Sequence, residues 1–269
     1  MSTMATRKKA PPNVLIIAGH DPGGGAGIQA DIESVNANGC RCVSLITCLT
    51  AQNTAGFSDL FPQKPDRFRL EAKLLLSDVK VNACKIGLIG GIKLVSEIAR
   101  ILTSLAAELP LVIDPVLVSG TGTSLAGKKL TTAMKNDLFS LTTLLTPNTS
   151  EALSLTGSND IYHAADILMG FGCRSVLITG ADEKTPSIKN YLFSQDFEPE
   201  VFDWERLPGI YHGSGCTLSS SIAAQLALGK EMRTAVFRAQ EFTWHSLKNG
   251  SQIGRKQKHP NRFYKYKGL

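Results

Sequence analysis

Short apolar runs alternate with longer amphipathic ones along most of this chain, and that alternation constrains its fold more than any other feature. "VLIIA" from Val14, "CVSLITCL" from Cys42, "ACKIGLI" from Ala83, "LVIDPVLV" from Leu111, "TLLTP" from Thr143 and "SVLITG" from Ser175 are compact and mostly apolar. Strands covered on both faces read this way. Between them, "GIQADIESVNANG", "PDRFRLEAKLLLSDV", "KLVSEIARILTSLAAEL" and "DIYHAADILMGFG" space their apolar residues as helices do. Strand and helix in alternation imply a parallel sheet with helices on both faces. From Asn190 the texture changes to a hairpin pattern, and two helices, from Gly215 and from Glu231, follow it. With no internal repeat, low-complexity linker or domain boundary, residues 13–250 read as one domain, with a disordered tail at 1–12 and a basic tail at 251–269.

Composition narrows the function classes. The chain has 269 residues, 43% of them hydrophobic and 19% charged, which suits one large domain with a full core. No apolar stretch approaches the roughly 20 residues needed to span a bilayer, and "MSTMATRKKAPPN" lacks the apolar core of a signal peptide. A soluble, cytoplasmic protein with no membrane partner is expected. Cys40, Cys42, Cys48, Cys84, Cys173 and Cys216 include no Cys-x-x-Cys pair and no His at zinc-ligand spacing, so reduced thiols are expected. The net charge of +6 gathers in "RKK" near Arg7 and in the run from Gly254. Without a nucleic-acid-binding motif or a basic stripe in the middle of the chain, solvated termini account for it better than a nucleic-acid partner.

Ligands of such sheets bind beyond the carboxyl ends of the strands, which is where the polar and glycine-rich segments fall. "AGHDPGGGAGIQAD", Ala18 to Asp31, joins a strand, a glycine-rich turn with His20 and Asp21 before it, and a helix start. Glycines allow the backbone to approach a ligand and aim amides at it. The stretch is not a lysine-containing phosphate loop and does not match the dinucleotide pattern, and turn geometry alone would need fewer glycines. Asp114 ends one strand run. Asn148 and Glu151 in "TPNTSE" follow another, at capping-box spacing. Capping and metal binding are compatible roles there, and Asp114 with Glu151 would form a hard-oxygen site suited to Mg²⁺.

"YHGSGCTLSSS" places Cys216 where a Gly-Ser-Gly turn meets a helix start. The first amides of a helix lack intrahelical partners and carry its positive dipole end, so this turn should bind an oxyanion and lower the thiol's pKa below its free value of about 8.5. The alternative is a cysteine filling space at a helix cap. His163, His245 and His259 read as surface or core residues, and Trp204 and Trp244 as packing.

Taken in order, "IAGHDPGGGAGIQAD", "ITCLTAQNT", "KIGLIG", "VIDPVLV", "TPNTSEA" and "GSGCTLSSSIAA" resemble the signature blocks of the ribokinase-like superfamily of ATP-dependent small-molecule kinases. Within it they are similar to the hydroxymethylpyrimidine/phosphomethylpyrimidine kinases of thiamine biosynthesis. The resemblance runs from Val14 to about Leu247. It implies an α/β fold, a three-layer α/β/α sandwich around a mostly parallel sheet, and a homodimer. The implied activity transfers phosphoryl groups from ATP, with Mg²⁺, to a small-molecule pyrimidine alcohol and then to its monophosphate.

The resemblance also implies roles. Gln52 would read the aminopyrimidine edge with its paired donor and acceptor. Asp31, the backbone of Gly19 and Ala26, and Leu88 and Val116 would complete that pocket. Gly213, Ser214, Gly215 and Cys216 would surround the transferring phosphoryl group, with Cys216 at the place where the superfamily usually has an aspartate base. Asn148, Thr179 and Gly180 would face the nucleotide, and Asp114 and Glu151 the metal. Two departures remove positive charge from the nucleotide side: "SGTG" at Ser119 to Gly122 where many relatives have "AKSG", and Thr179 where they have lysine. Lys184, Lys128 or Lys129 could replace it. A pyridoxal or pyridoxine kinase, and a catalytically silent pyrimidine-binding sensor, are the alternatives.

Overall fold

The structure, a computed structural model, describes residues 10–105, 108–118, 122 and 125–266. The expected N-terminal tail up to residue 9 and residues 119–121 of the "SGTG" segment lie outside the described residues. The strands are β1 (Asn13–His20), β2 (Arg41–Asn53), β3 (Gly56–Pro62), β4 (Ala83–Ile86), β5 (Leu111–Ile113), β6 (Leu144–Leu145), β7 (Ser175–Thr179), β8 (Ser187–Ser194) and β9 (Glu200–Glu205). The helices are α1 (Gly27–Ala37), α2 (Pro65–Asp78), α3 (Ile92–Ser104), α4 (Lys128–Asp137), α5 (Thr149–Thr156), α6 (Ile161–Gly170), α7 (Ser214–Ala227) and α8 (Met232–Lys248).

The strands form one sheet in the order β3-β2-β1-β4-β5-β6-β7-β8-β9. The six from β2 to β7 are parallel, while β3 pairs antiparallel at one edge and the β8–β9 hairpin at the other. The expected mostly parallel α/β sandwich is therefore present, as is the late hairpin. Successive residues of β1 face opposite layers. Leu15 and Ile17 pack with α2 through α6, and Val14, Ile16 and Ala18 with α1, α7 and α8. Each of these β1 residues is fully buried, and a large aliphatic side chain so placed contributes roughly 1.5–3 kcal/mol.

The chain steps from β1 to β2 on one side and returns to β4 on the other. The resulting crevice between β1 and β4 is the switch point at which such sheets bind ligands. β5 is shorter than the "LVIDPVLV" run suggested. It ends at Ile113, and Val116 adopts a φ of 35°, which turns the chain out of the sheet just beyond Asp114.

Residues from Ser251 to Arg262 do not form the solvated tail expected from their charge. Gln257, His259 and Arg262 are buried, and the segment folds on itself at Ser251–His259 and bridges to the preceding chain at Tyr211–Lys258. Charge in the run does not report this burial, because Arg262 finds its partners 45 to 238 residues earlier in the chain.

Candidate active site

Local geometry builds an anion-binding turn at the start of α7. Gly213 is the N-cap with a φ of 81°, and no side chain caps the helix, so the N–H groups of Ser214, Gly215 and Cys216 have no intrahelical partner. A Cβ on Gly213 would run into the Gly25 carbonyl, so glycine is required both for backbone angle and for space. This pins α7 directly against the glycine loop that precedes α1.

Asp21 organises that loop. Its carboxylate accepts from the Gly23 and Ala26 amides, each at 2.9 Å, and lies 3.1 Å from His212 Nε2. Burial opposes its ionisation, but His212 and the two amides outweigh burial and hold it down to about 2. Asp21 thus stays charged and fixes the loop that faces Cys216.

Gly19, Ala26, Gln52, Leu88, Val116, Asp114, Asn148, Glu151, Thr179 and the turn from Gly213 to Cys216 all line one cavity of about 420 Å³ at the carboxyl ends of the strands. Gln52 sits beside a register shift between β2 and β3, and its amide has no hydrogen-bond partner among the described residues. Asn148 and Glu151 form a complete capping box on α5: Glu151 N–H donates to Asn148 Oδ1 at 2.8 Å and Asn148 N–H to Glu151 Oε2 at 3.1 Å. The Leu117 amide donates to Glu151 Oε1 at 2.9 Å.

Burial, and then the Asp114 carboxylate, push Glu151 up to about 7. Burial likewise raises Asp114, against the pull of Lys85. Asp114 accepts from Ser219 on α7 at 3.4 Å, and its Oδ2 lies 3.6 Å from where a Cβ on Gly215 would stand. Two hard carboxylates beside an anion-binding turn, each resisting ionisation, have the chemistry of a divalent-cation site that keeps several waters.

Three expectations fail. Asp31 does not line the cavity. It is fully buried behind it, paired with Lys85 at 2.8 Å and accepting from Ser220 at 2.7 Å, because an α1 residue at that position faces the sheet and α7. Gly180 is also outside the cavity lining; its N–H donates to Asn190 Oδ1 at 3.2 Å in the turn after β7. The thiol of Cys216 is not activated: burial, with the carboxylates of Asp31 and Asp114, pushes it up to about 12 despite Lys85 and the Gly27 amide. A helix-dipole argument weighs only the local turn, and the thiol's surroundings outweigh it.

Other contributors carry no motif that spacing could find. Lys85 lines the cavity with its charge paired to Asp31, whereas Lys184, Lys128 and Lys129 do not line it. A lysine inside the apolar run "ACKIGLI" was the available signal. Asp182 lines the cavity and accepts from Ser150 N–H at 3.1 Å, and His20 and His212 line it too.

A family model described as phosphomethylpyrimidine kinase matches residues 21–261. A hydroxymethylpyrimidine/phosphomethylpyrimidine kinase from Streptomyces coelicolor is 33% identical over 261 residues, covering 94% of each chain. The chain spans about half the length of the bifunctional thiamine-biosynthesis enzymes that it also matches. Among solved structures, Staphylococcus aureus pyridoxal kinase in complex with AMP-PCP superposes with a TM-score of 0.87 at 26% identity, over 96% of each chain. The phosphomethylpyrimidine kinase of Clostridium difficile superposes at 0.75 with 30% identity, over 87% of this chain and 98% of that one. Matched over the span that carries the glycine loop, the carboxylates and the Cys216 turn, the chain belongs to the phosphomethylpyrimidine kinase family.

Proposed function

We propose that this protein transfers the γ-phosphoryl group of ATP to the primary alcohol of 4-amino-5-hydroxymethyl-2-methylpyrimidine, and then to the resulting monophosphate. One observation carries the reading: a single cavity is lined by Gln52, whose amide has no hydrogen-bond partner among the described residues, by the free helix amides beside Cys216, and by the carboxylates of Asp114 and Glu151. The amide matches the aminopyrimidine edge. The helix start favours the charge spread over the transferring phosphoryl oxygens.

In the first step the alcohol oxygen bonds to the γ-phosphorus, the bond to the β-bridging oxygen breaks, and ADP leaves. The resting Cys216 thiol is protonated at neutral pH, so it is not a general base. It hydrogen-bonds, while the amides of Ser214, Gly215 and Cys216 stabilise charge and position the acceptor. In a loose transition state the alcohol proton departs late, to a phosphoryl oxygen or to water. The second step repeats the displacement with a phosphate oxygen as the attacker. Asp114 and Glu151 would hold Mg²⁺, which would supply positive charge to offset that of the phosphate groups.

A second cleft, shared with the first at Thr179, Ala181, Ser214 and Gly215, runs between Trp204, Leu218 and Trp244. Its apolar walls and the buried Gln240 Nε2, without a hydrogen-bond partner among the described residues, suit the adenine ring. Leu49 and Phe61, cross-strand partners on the edge hairpin, and Leu70 and Leu74 on α2 are exposed and suit a homodimer contact. Six free cysteines suit a reducing, cytoplasmic setting.

The second reading is a pyridoxal kinase, favoured by the higher structural likeness to that enzyme. A coupled ADP-release assay with each acceptor separates the two. Turnover of the pyrimidine with little of pyridoxal is expected; turnover of pyridoxal alone refutes the pyrimidine reading, and binding of the pyrimidine without turnover indicates a sensor.

A further inference from the structure

Arg262 does not line the cavity, yet it is 2% exposed and reaches three segments around the site. Its guanidinium donates to the Gly24 carbonyl at 3.4 Å and the Gly25 carbonyl at 2.5 Å in the glycine loop. Its Nε donates to the Thr217 hydroxyl at 2.9 Å, which in turn donates to the Gly213 carbonyl at 2.8 Å, the N-cap of α7. Glu33 of α1, partly exposed, pairs with it at 2.9 Å.

One planar fork thus joins the two helix starts that meet at Cys216. Holding the Gly24 and Gly25 carbonyls on the guanidinium side turns the N–H of each following residue the opposite way, because the two groups share one planar trans peptide unit. The N–H of Ala26 is then the one Asp21 receives. Gly213 packs directly on the Gly25 carbonyl, so any shift of that carbonyl moves the N-cap of α7.

We propose that Arg262 is a positioning residue for phosphoryl transfer: it sets the glycine loop and the α7 N-terminus in register around the reacting phosphoryl group, without touching substrate itself. The inference rests on the phosphoryl-transfer reading above. Misplacement of reacting groups by about 1 Å costs on the order of 100-fold in rate.

The test compares Arg262→Met, which keeps an apolar stem and removes the donors, with Arg262→Lys, which keeps the charge and loses the fork. Glu33→Gln serves as the control, since it leaves the carbonyl contacts intact. Arg262→Met should lower kcat about 100-fold with both KM values within about threefold, Arg262→Lys should fall between, and Glu33→Gln should stay within about twofold of the parent. Amide hydrogen exchange on the unliganded variants should quicken at residues 23–27 and 213–217 and not in the sheet. Unchanged kcat in folded Arg262→Met overturns the proposal. So does a kcat loss that only tracks the folded fraction while exchange rises across the whole domain. Should Arg262→Met fail to fold, Arg262→Lys decides: a kcat loss of about tenfold at steady KM supports the proposal and an unchanged kcat overturns it. An inactive parent protein sinks the kinase reading, and the exchange data alone then decide whether Arg262 holds the loop.

Discussion

Replacing Lys85 by methionine tests whether the buried charge beneath the cavity is a balanced pair. Lys85 and Asp31 are both fully buried, with Nζ 2.8 Å from Oδ1. At an effective dielectric of about 20, that separation corresponds to an attraction of about 6 kcal/mol, much of it offset by desolvation. The Lys85→Met variant would leave the Asp31 carboxylate with only the Ser220 hydroxyl on Oδ1, and with no partner among the described residues on Oδ2. Breaking such a pair from one side costs about 3–5 kcal/mol.

Lys85→Met should therefore lose about 3–5 kcal/mol in urea unfolding at pH 7, or roughly 6–20 °C in Tm. The double variant Asp31→Asn/Lys85→Met should recover most of the loss. A single variant as stable as the double one refutes the reasoning.

Cys216→Ser should keep kcat within about tenfold of the parent, and Cys216→Ala should lower kcat more than KM, since the amides and not a thiolate carry the charge; slow alkylation by iodoacetamide at pH 7.5 checks the protonated thiol directly. Because folding raises Glu151 from 4.5 to about 7, the unfolded chain loses this proton first, and stability should fall as pH rises between those values and stay lowered above them. Mg²⁺ should offset that loss, so its stabilising effect in a thermal melt should be larger at pH 8 than at pH 6, and an equal effect at both would count against Glu151 as a ligand. Gly213→Ala should cost at least about 1–2 kcal/mol from backbone angle alone, more from the Gly25 collision, and abolish turnover, which steady-state kinetics on the folded fraction will read.

Features encoded within one short stretch were legible before folding was considered. The β1 run, the glycine loop and the start of α7 are contiguous, and the "NTSE" capping box lies within four residues, so periodicity and spacing located them. β3, "GFSDLFP", escaped because it is an exposed edge strand with no apolar alternation. Features that depend on distant partners were misread. Asp31 looked like a ligand because the ammonium that claims it lies 54 residues further on. Arg262 looked solvated because nothing near it in sequence explains its burial. The helix start alone favours a Cys216 thiolate, whereas burial, with Asp31 and Asp114 brought in from two other elements, decides against it.

The central claim is that a single cavity presents the hydroxymethyl oxygen of an aminopyrimidine, and later its phosphate, to the γ-phosphorus of ATP. Mass analysis of products after incubating the unphosphorylated pyrimidine with excess ATP and Mg²⁺ tests it most directly. The account predicts the monophosphate first and the pyrophosphate after it, with both lost in Gln52→Leu. An unmodified pyrimidine, under conditions where the same preparation phosphorylates pyridoxal, would contradict it.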